Sequence, residues 1–520
     1  WQVMTAGVIV IVLLAPLMFM VTPVWAAGAQ TGPADVVPWD ESLQWMNEET
    51  PYPGELEGHD NAMEYYGTYE RPADDDFDYP EGAYGVQSWW DYGHWITTRA
   101  ERIPNANPFQ QNAGEAANYL LAPDEETAAE VLERQSEEGG DTRYVMVDWQ
   151  MVAPTSKFGA PVTFYDDEDL EQEDFTPLVY QATEEGALQP VTQLRTQRYY
   201  ESQMVQLYAG YGSAMDPEPV VVTYDVEQVQ DPQTGEALEI RTLPTDPNEF
   251  VQRYDTMEEA EEAVEDAPNA QIGGVGDIPS ERVEALENYR LVHAGDARGQ
   301  APAAPQLQAL QGLGVDLEET LGVDPLAASS DDFVKTFERV PGSSVEGSGA
   351  EPNEEVRATV EMEKPTGETF AYTQYAEADA DGEFELHLPY STTGYDEWGP
   401  DEGYTNTSVQ ATGPYQVVSE DESLIGEVNV SEAQVIGEDD TTPTVELEPI
   451  EEVGEDTLDE DPGADDPDET DGADDPDGEE FEEDGEEFGG EDSGEEGGGA
   501  GSLVAGSVGI LTAPLAATIA

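Results

Sequence analysis

Cysteine is absent from the 520 residues. That excludes a disulfide scaffold, a thiol nucleophile and a thiolate metal site. Positive charge is scarce: 17 Lys and Arg face 117 Asp and Glu, for a formal net charge of −100. The lysines are Lys157, Lys335 and Lys364, and neither Lys nor Arg follows Lys364. So thin a basic footprint excludes nucleic acid as a partner, because counterion release needs clustered cations. A field of one sign repels itself in dilute buffer. It becomes tolerable where salt shortens the Debye length, to about 3 Å at 1 M. The composition reads as that of a salt-loving organism, with acids that solvate the surface. Histidine is sparse too. His59, His94, His293 and His387 show no HExxH or paired spacing, which argues against a three-ligand zinc site. The acids at 74–78 lack the EF-hand pattern.

The 38% hydrophobic content is enough for real cores, and the length predicts two to four domains. The sequence begins at Trp1 rather than Met and reads as a fragment. Residues 8–27, `VIVIVLLAPLMFMVTPVWAA`, are uncharged and long enough to cross a bilayer, so 1–30 is predicted to be a transmembrane helix. A signal peptide is the other reading of this run.

Residues 35–293 read as one mixed α/β body with a short helix at `VVPWDESLQWMNEETP`. `PDEETAAEVLERQSEEGG` predicts a helix, opened by Pro123 and Asp124 and ended by Gly139 and Gly140. `TRYVMVDW` predicts a buried strand, and the helix-then-strand order implies an α/β layer. Further helices are predicted at `RYYESQMVQLYAGYG`, `TMEEAEEAVEDAPNA` and `IPSERVEALENYRLVHAG`, the last feeding a strand. `PVVVTYDVEQV` predicts one strand. Residues 294–350 are rich in Ala, Pro, Gln and Gly and read as an insert or linker. Alternation over 354–432 predicts a small β-sandwich, with a hairpin turn at Asp381-Gly382. Residues 438–500 repeat Asp, Glu, Gly and Pro and are predicted to form a disordered acidic tail. Residues 501–520 form an apolar terminus with no assignment.

`SWWDYGHWI` carries the strongest chemical signal. Trp89 and Trp90 offer apolar walls and N–H donors, Asp91 a strong acceptor, and Gly93 a close backbone approach. Together these suit a small hydroxyl-bearing group, and a site built around a hydroxyl rejects partners that lack one. The competing reading makes the tryptophans core and Asp91 a helix cap. In `VMVDWQMVAPTSKFGAP`, Asp148 ends a strand and Met151 and Lys157 follow, where sites of open α/β layers form. There the competing reading is a salt-bridged lysine and a core methionine. `NTS` at 406–408 and `NVS` at 429–431 are N-glycosylation acceptor sequons.

`SWWDYGHWI` resembles the signature of oligosaccharyltransferase catalytic subunits. `VDWQMVAPTSKF` is similar to the second motif of the archaeal, AglB-type members, and `RYYESQMVQLYAG` and `ALENYRLVH` also resemble their counterparts. The resemblance covers roughly residues 1–293 and, with the acidic composition, points to the C-terminal part of a haloarchaeal member. It implies transfer of a dolichol-phosphate-linked glycan to Asn in Asn-Xaa-Ser/Thr, on the extracellular side of the cell membrane, by a single-subunit enzyme. Trp89, Trp90 and Asp91 would hold the +2 Ser/Thr hydroxyl, and Met151 and Lys157 would line or brace that pocket. Tyr92, Gly93 and Asp148 complete the two motifs. The `VAPTS` insert before Lys157 departs from the commoner spacing. No catalytic residue is expected in this stretch. A divalent cation, Mn2+ or Mg2+, would be bound by an N-terminal membrane domain that precedes it. The alternative is a non-catalytic, membrane-tethered envelope protein of a halophile.

Overall fold

The computed structural model describes residues 36–54, 82–136, 141–167, 169–183, 187–230, 237–246 and 249–450. The predicted transmembrane helix, the acids at 74–78, most of the acidic tail and the apolar terminus lie outside them. Among the described residues, no helix is long and apolar enough to cross a membrane.

A five-stranded sheet organises the body. Its strands are β1 (Tyr84–Gln87), β2 (Ile103–Pro104), β3 (Asp141–Asp148), β4 (Tyr289–Ala294) and β5 (Val334–Arg339), in the order β4-β5-β3-β1-β2. β1 runs parallel to both β2 and β3, while β5 is antiparallel to β3 and β4. β3 is buried almost continuously from Tyr144 to Asp148, because both faces of this central strand are covered. Helices α1 (Val37–Glu49), α2 (Ala113–Leu120), α3 (Glu125–Ser136) and α4 (Trp149–Val152) pack around it. α1 opens with Pro38 in its first turn and buries Trp39, Leu43 and Met46 at helical spacing. α3 begins where Asp124 Oδ1 accepts from the Thr127 N–H at 2.7 Å, and buries Ala128, Val131 and Leu132.

Several elements differ from the sequence-based expectation. The helix over `RYYESQMVQLYAG` breaks into α5 (Gln197–Glu201) and α6 (Gln203–Tyr208), because Ser202 is extended and the Gln203 N–H turns to Ala122 O. No helix forms over 279–288. There the backbone is taken by neighbours: Gln197 Oε1 accepts from Ser280 and Glu281, Val283 bridges Met215, and the Glu125 carboxylate accepts from Glu287 and Asn288. `PVVVTYDVEQV` is two strands, Val220–Thr223 and Asp225–Gln230, which enter different sheets of a second lobe. That lobe has its own apolar core around Val179, Val222, Phe250 and Leu310.

Residues 294–350 are not a linker. They carry helices Ala304–Gly312 and Leu317–Leu321 and supply β5, so the body does not close at residue 293. β5 hides in the sequence because polar Lys335, Thr336 and Glu338 are buried beside Val334 and Phe337. Lys335 is fully buried, with Nζ donating to Tyr208 O at 2.7 Å and Asp331 Oδ2 at 2.9 Å. Glu338 is held by Arg290 and Arg143.

Beyond β5 lie β6 (Ser343–Ser348), β7 (Glu355–Glu363), β8 (Thr369–Glu377), β9 (Glu383–Leu388), β10 (Tyr415–Ser419) and β11 (Leu424–Val428), then helix α7 (Glu432–Val435) and β12 (Thr444–Glu446). They form two sheets that share apolar residues such as Val356, Val360, Phe384 and Val417. β6 and β12 lie outside the 354–432 boundaries. β12 also removes residues 444–446 from the predicted tail, since Val445 is buried and β12 pairs with β6. Asp381-Gly382 is not a hairpin turn. β8 pairs with β7 while β9 pairs with β6, so the chain changes sheets there. Gly382 is required at that corner: its φ is +77°, and a Cβ would lie 2.3 Å from Ala350 O.

Candidate functional site

β1 and β3 are parallel neighbours, so their carboxyl ends point the same way. The tryptophan-rich segment follows β1, and Asp148 is the last residue of β3. Topology thus places both sequence motifs on one edge of the sheet, the edge where open α/β layers build sites. Ser88 ties the first motif down, its Oγ donating to Met146 O at 2.7 Å. Trp89 is extended, a single tight turn covers Trp90–Tyr92, and a helical stretch starts at Gly93. Gly93 must lack a side chain because a Cβ would stand 2.1 Å from Ala106 O.

The two indoles have different environments. Trp89 is 2% exposed and belongs to the core. Trp90 is half-buried at the rim, with Phe164 packed edge-on against both rings at centroid distances of 5.6 and 6.5 Å. The Trp90 indole N–H is buried and has no hydrogen-bond partner among the described residues. Such a donor is costly to leave empty, and the ordinary remedy is a partner. In the next residue of the chain, the Asp91 side chain is 31% exposed and accepts from Lys157 Nζ through Oδ2 at 3.2 Å. Asp91 does not cap the helix that follows.

Lys157 reaches Asp91 because the `VAPTS` loop folds back on itself. The Ser156 N–H donates to Ala153 O, and the Lys157 N–H donates to Gln150 O at 2.8 Å. The longer spacing therefore closes as a turn and leaves the ammonium beside Asp91. Lys157 Nζ also donates to Tyr92 Oη at 3.1 Å and lies 4.6 Å from the Tyr92 ring centroid. Tyr92 is buried between Trp39, at 4.3 Å, and Trp95, at 5.4 Å.

Asp148 anchors the arrangement from below. It accepts from the Met151 N–H at 3.0 Å, from Trp39 Nε1 at 3.2 Å and from the Tyr92 hydroxyl. Burial pushes its carboxyl up to about 6, against the opposing pull of Tyr92, Lys157 and the other donors. Met151 is 1% exposed, so it braces the floor and presents no surface of its own. Trp39 and Phe164 carry no sequence signal for this role, since Trp39 reads as the buried face of α1 and meets Asp148 across 109 residues.

A pH dependence follows. A carboxyl raised in the folded state contributes stability that is complete below its unfolded value near 3.9, and that is lost as pH rises through about 6. Asp148→Asn is expected to remove that segment of the stability–pH profile, a difference of up to about 3 kcal/mol between pH 4 and 7. Chemical denaturation of both proteins across that range reads it, and parallel profiles would contradict the assignment.

The remaining candidates fall elsewhere. His293 stacks on Trp45 and bonds Glu41, while His387 bonds Pro341 O. Among the described residues, no group of three His, Asp or Glu side chains stands ready to hold a metal ion.

Comparison with known proteins adds the following. The model of the AglB core domain matches residues 36–152, and that of the archaeal glycosylation protein B long peripheral domain matches residues 342–439. The chain is 46% identical over 472 residues to the dolichyl-monophosphooligosaccharide–protein glycotransferase AglB of Haloferax volcanii, covering 86% of this chain and 44% of that protein. It is 37% identical over 122 residues to the dolichyl-phosphooligosaccharide-protein glycotransferase 3 of Archaeoglobus fulgidus, covering 22% of this chain and 13% of that one. Among solved structures, the Archaeoglobus fulgidus oligosaccharyltransferase tethered through a disulfide to an acceptor peptide containing the NVT sequon aligns with a TM-score of 0.50. That alignment has 20% identity and covers 79% of this chain and 43% of that one. This chain thus spans less than half the length of the curated relatives it matches, and the likeness extends past residue 293 into the peripheral sheets.

Proposed function

This chain belongs to the AglB family of archaeal oligosaccharyltransferases, and on that premise we propose that it serves the transfer of a lipid-linked oligosaccharide to Asn in Asn-Xaa-Ser/Thr, with the surface at Asp91 gripping the +2 hydroxyl. The observation that carries the reading is the part-exposed Asp91 carboxylate, oriented by Lys157 and preceded in the chain by a Trp90 N–H that no described residue engages. A hydroxyl both donates and accepts. It alone among small side-chain groups can give its proton to Asp91 while taking the Trp90 N–H on its oxygen. Lys157 donates to Asp91 at 3.2 Å and fixes its orientation. The half-buried Trp90 and Phe164 rings supply an apolar wall for the carbon side of Ser or Thr. The envelope-module alternative gives the vacant indole no use.

We place the transfer on the extracellular side of the cell membrane, where lipid-linked glycan and acceptor protein meet, with residues 8–27 as the attachment. The acceptor amide needs activation and the leaving lipid phosphate needs neutralising, which a divalent cation such as Mn2+ or Mg2+ supplies when bound. We assign its ligands to a membrane domain that precedes this stretch.

The test compares acceptor peptides with the full-length membrane protein in high salt. An Asn-Xaa-Val peptide matches the shape of Asn-Xaa-Thr without the hydroxyl. Leaving a charged acceptor and a buried donor unpaired costs about 1.5–3 kcal/mol each, so kcat/KM is expected to fall at least about 100-fold. Turnover of the valine peptide within a few-fold of the threonine peptide would remove the hydroxyl from the account.

A further inference from the structure

The chain itself holds two sequons, Asn406-Thr407-Ser408 and Asn429-Val430-Ser431. We propose that Asn429, and not Asn406, carries a glycan in the mature protein, and that the sugar is attached before this part of the chain folds. The proposal rests on the transferase reading above.

Both asparagines are exposed, but their amides are not equivalent. Asn406 is pinned to the end of α1. Its backbone N–H donates to Glu49 O at 2.9 Å, and its Nδ2 donates to the Glu49 carboxylate at 2.6 Å. A sugar on Nδ2 would sit against that carboxylate and compete with a charge-assisted bond, so a nascent chain modified at Asn406 could not close this contact and would not persist as mature protein. Asn429 follows β11 and uses only its amide oxygen, which accepts from Thr392 Oγ1 at 3.1 Å. No hydrogen bond engages its Nδ2 among the described residues. Glycosylation replaces one Nδ2 hydrogen and leaves the oxygen free to accept, so the folded structure loses no bond at Asn429.

The third residue of each sequon sets the timing. Ser408 Oγ donates to Val292 O at 3.0 Å and lies 3.1 Å from His293 Nδ1. Ser431 caps α7, its Oγ accepting from the Gln434 N–H at 3.3 Å while Gln434 reaches back to the Ser431 N–H at 2.9 Å. The next residue, Glu432, is buried on Arg290 through two bonds of 2.7 Å. A site that grips the +2 hydroxyl must therefore uncap α7 and unseat Glu432 before it can use Ser431. The folded chain cannot present either hydroxyl, whereas the nascent chain can.

The chemistry balances with a lipid-linked glycan as donor. The Asn429 Nδ2 forms a bond to the anomeric carbon of the sugar. The bond from that carbon to the phosphate oxygen breaks, with its electron pair leaving on the lipid phosphate. Nδ2 gives up one proton to solvent.

Two measurements test this. Glycopeptide mass spectrometry of the full-length protein from its native host is expected to find Asn429 occupied and Asn406 bare. Then full-length protein from cells deprived of lipid-linked glycan, bare at both positions, is given that donor together with two peptides. One spans residues 424–434 and the other carries an unrelated sequon. Both peptides are expected to be modified, and Asn429 of the folded protein at least about 1,000-fold more slowly. An unmodified Asn429 in native protein, an occupied Asn406, or folded Asn429 reacting as fast as its peptide would each overturn the proposal while leaving the transferase reading intact. Failure to modify the unrelated peptide would instead overturn the transferase reading, and this one with it.

Discussion

Asp91→Ala in the full-length protein is expected to lower kcat/KM for an Asn-Xaa-Thr peptide by roughly 100-fold, while unfolding stability stays within about 0.5 kcal/mol. The two halves of that expectation have one physical source. Asp91 is a part-exposed carboxylate that caps no helix, and among the described residues its side chain bonds Lys157. Its removal costs the fold little, because ion pairs at this exposure contribute about 1 kcal/mol or less. Its removal costs the bound hydroxyl its acceptor, and a hydrogen bond to a charged group is worth about 1.5–3 kcal/mol. The vacated site adds to the loss, since the Trp90 N–H and the Lys157 ammonium then face a hydroxyl with no acceptor among them. Asp91→Asn keeps an oxygen acceptor without the charge and is expected to fall between. Steady-state kinetics in high salt, paired with thermal unfolding, separates binding from folding. Full activity in Asp91→Ala would remove the residue from acceptor recognition, and a collapse in stability would make it a structural group.

Arg290→Ala is expected to destabilise the fold by about 3–5 kcal/mol, the largest stability effect of any single substitution considered. Arg290 lies on β4, is 2% exposed, and bridges two buried carboxylates. It donates to Glu432 through both terminal nitrogens at 2.7 Å and to Glu338 at 2.8 and 3.2 Å. Glu338 keeps Arg143 and Thr405 if Arg290 is lost, but among the described residues Glu432 keeps one side-chain partner, Ser391. An uncompensated charge would then be buried where α7 meets the central sheet. The effect is expected to persist at low and high salt, because buried pairs are little screened.

The acid limb gives an independent readout of the same network. Burial alone would raise Glu338, but Arg290 and Arg143 outweigh it and hold the carboxyl below its ordinary value. A lowered carboxyl contributes stability that is present above the unfolded value near 4.3 and is lost as pH falls through the folded one. In Arg290→Ala the acid unfolding midpoint is expected to move to higher pH. Replacing Arg290 and Glu432 together with apolar residues of similar size is expected to recover much of the loss, since the pair then leaves no orphan. Equal destabilisation in the single and double variants would contradict this description.

Legibility in the sequence followed the range of the interactions. α1, α3 and β3 are set by local patterns: proline and acids at a helix start, apolar spacing, a continuous buried run. Trp89, Trp90, Asp91, Asp148 and Lys157 were legible as motifs for the same reason. What local pattern does not carry is who pays for buried polarity. `VKTFER` falls in the stretch read as an insert or linker, yet Lys335 and Glu338 are buried because Asp331 and the distant Tyr208, Arg290 and Arg143 meet them. `IPSERVEALENY` has helical spacing, but side chains from Gln197 and Glu125 capture its backbone first. Asp381-Gly382 is a turn in either reading, and only the pairing of β9 with β6 shows that it crosses between sheets. The contact of Trp39 with Asp148, which positions Tyr92 under Lys157, likewise depends on topology and not on spacing.

The most direct test of the account is a structure of the full-length protein with a bound Asn-Xaa-Thr peptide. The +2 hydroxyl is expected within about 3 Å of both an Asp91 carboxylate oxygen and the Trp90 indole nitrogen, with Lys157 still on Asp91. A peptide seated elsewhere, or seated here with the Trp90 N–H still empty, would contradict it.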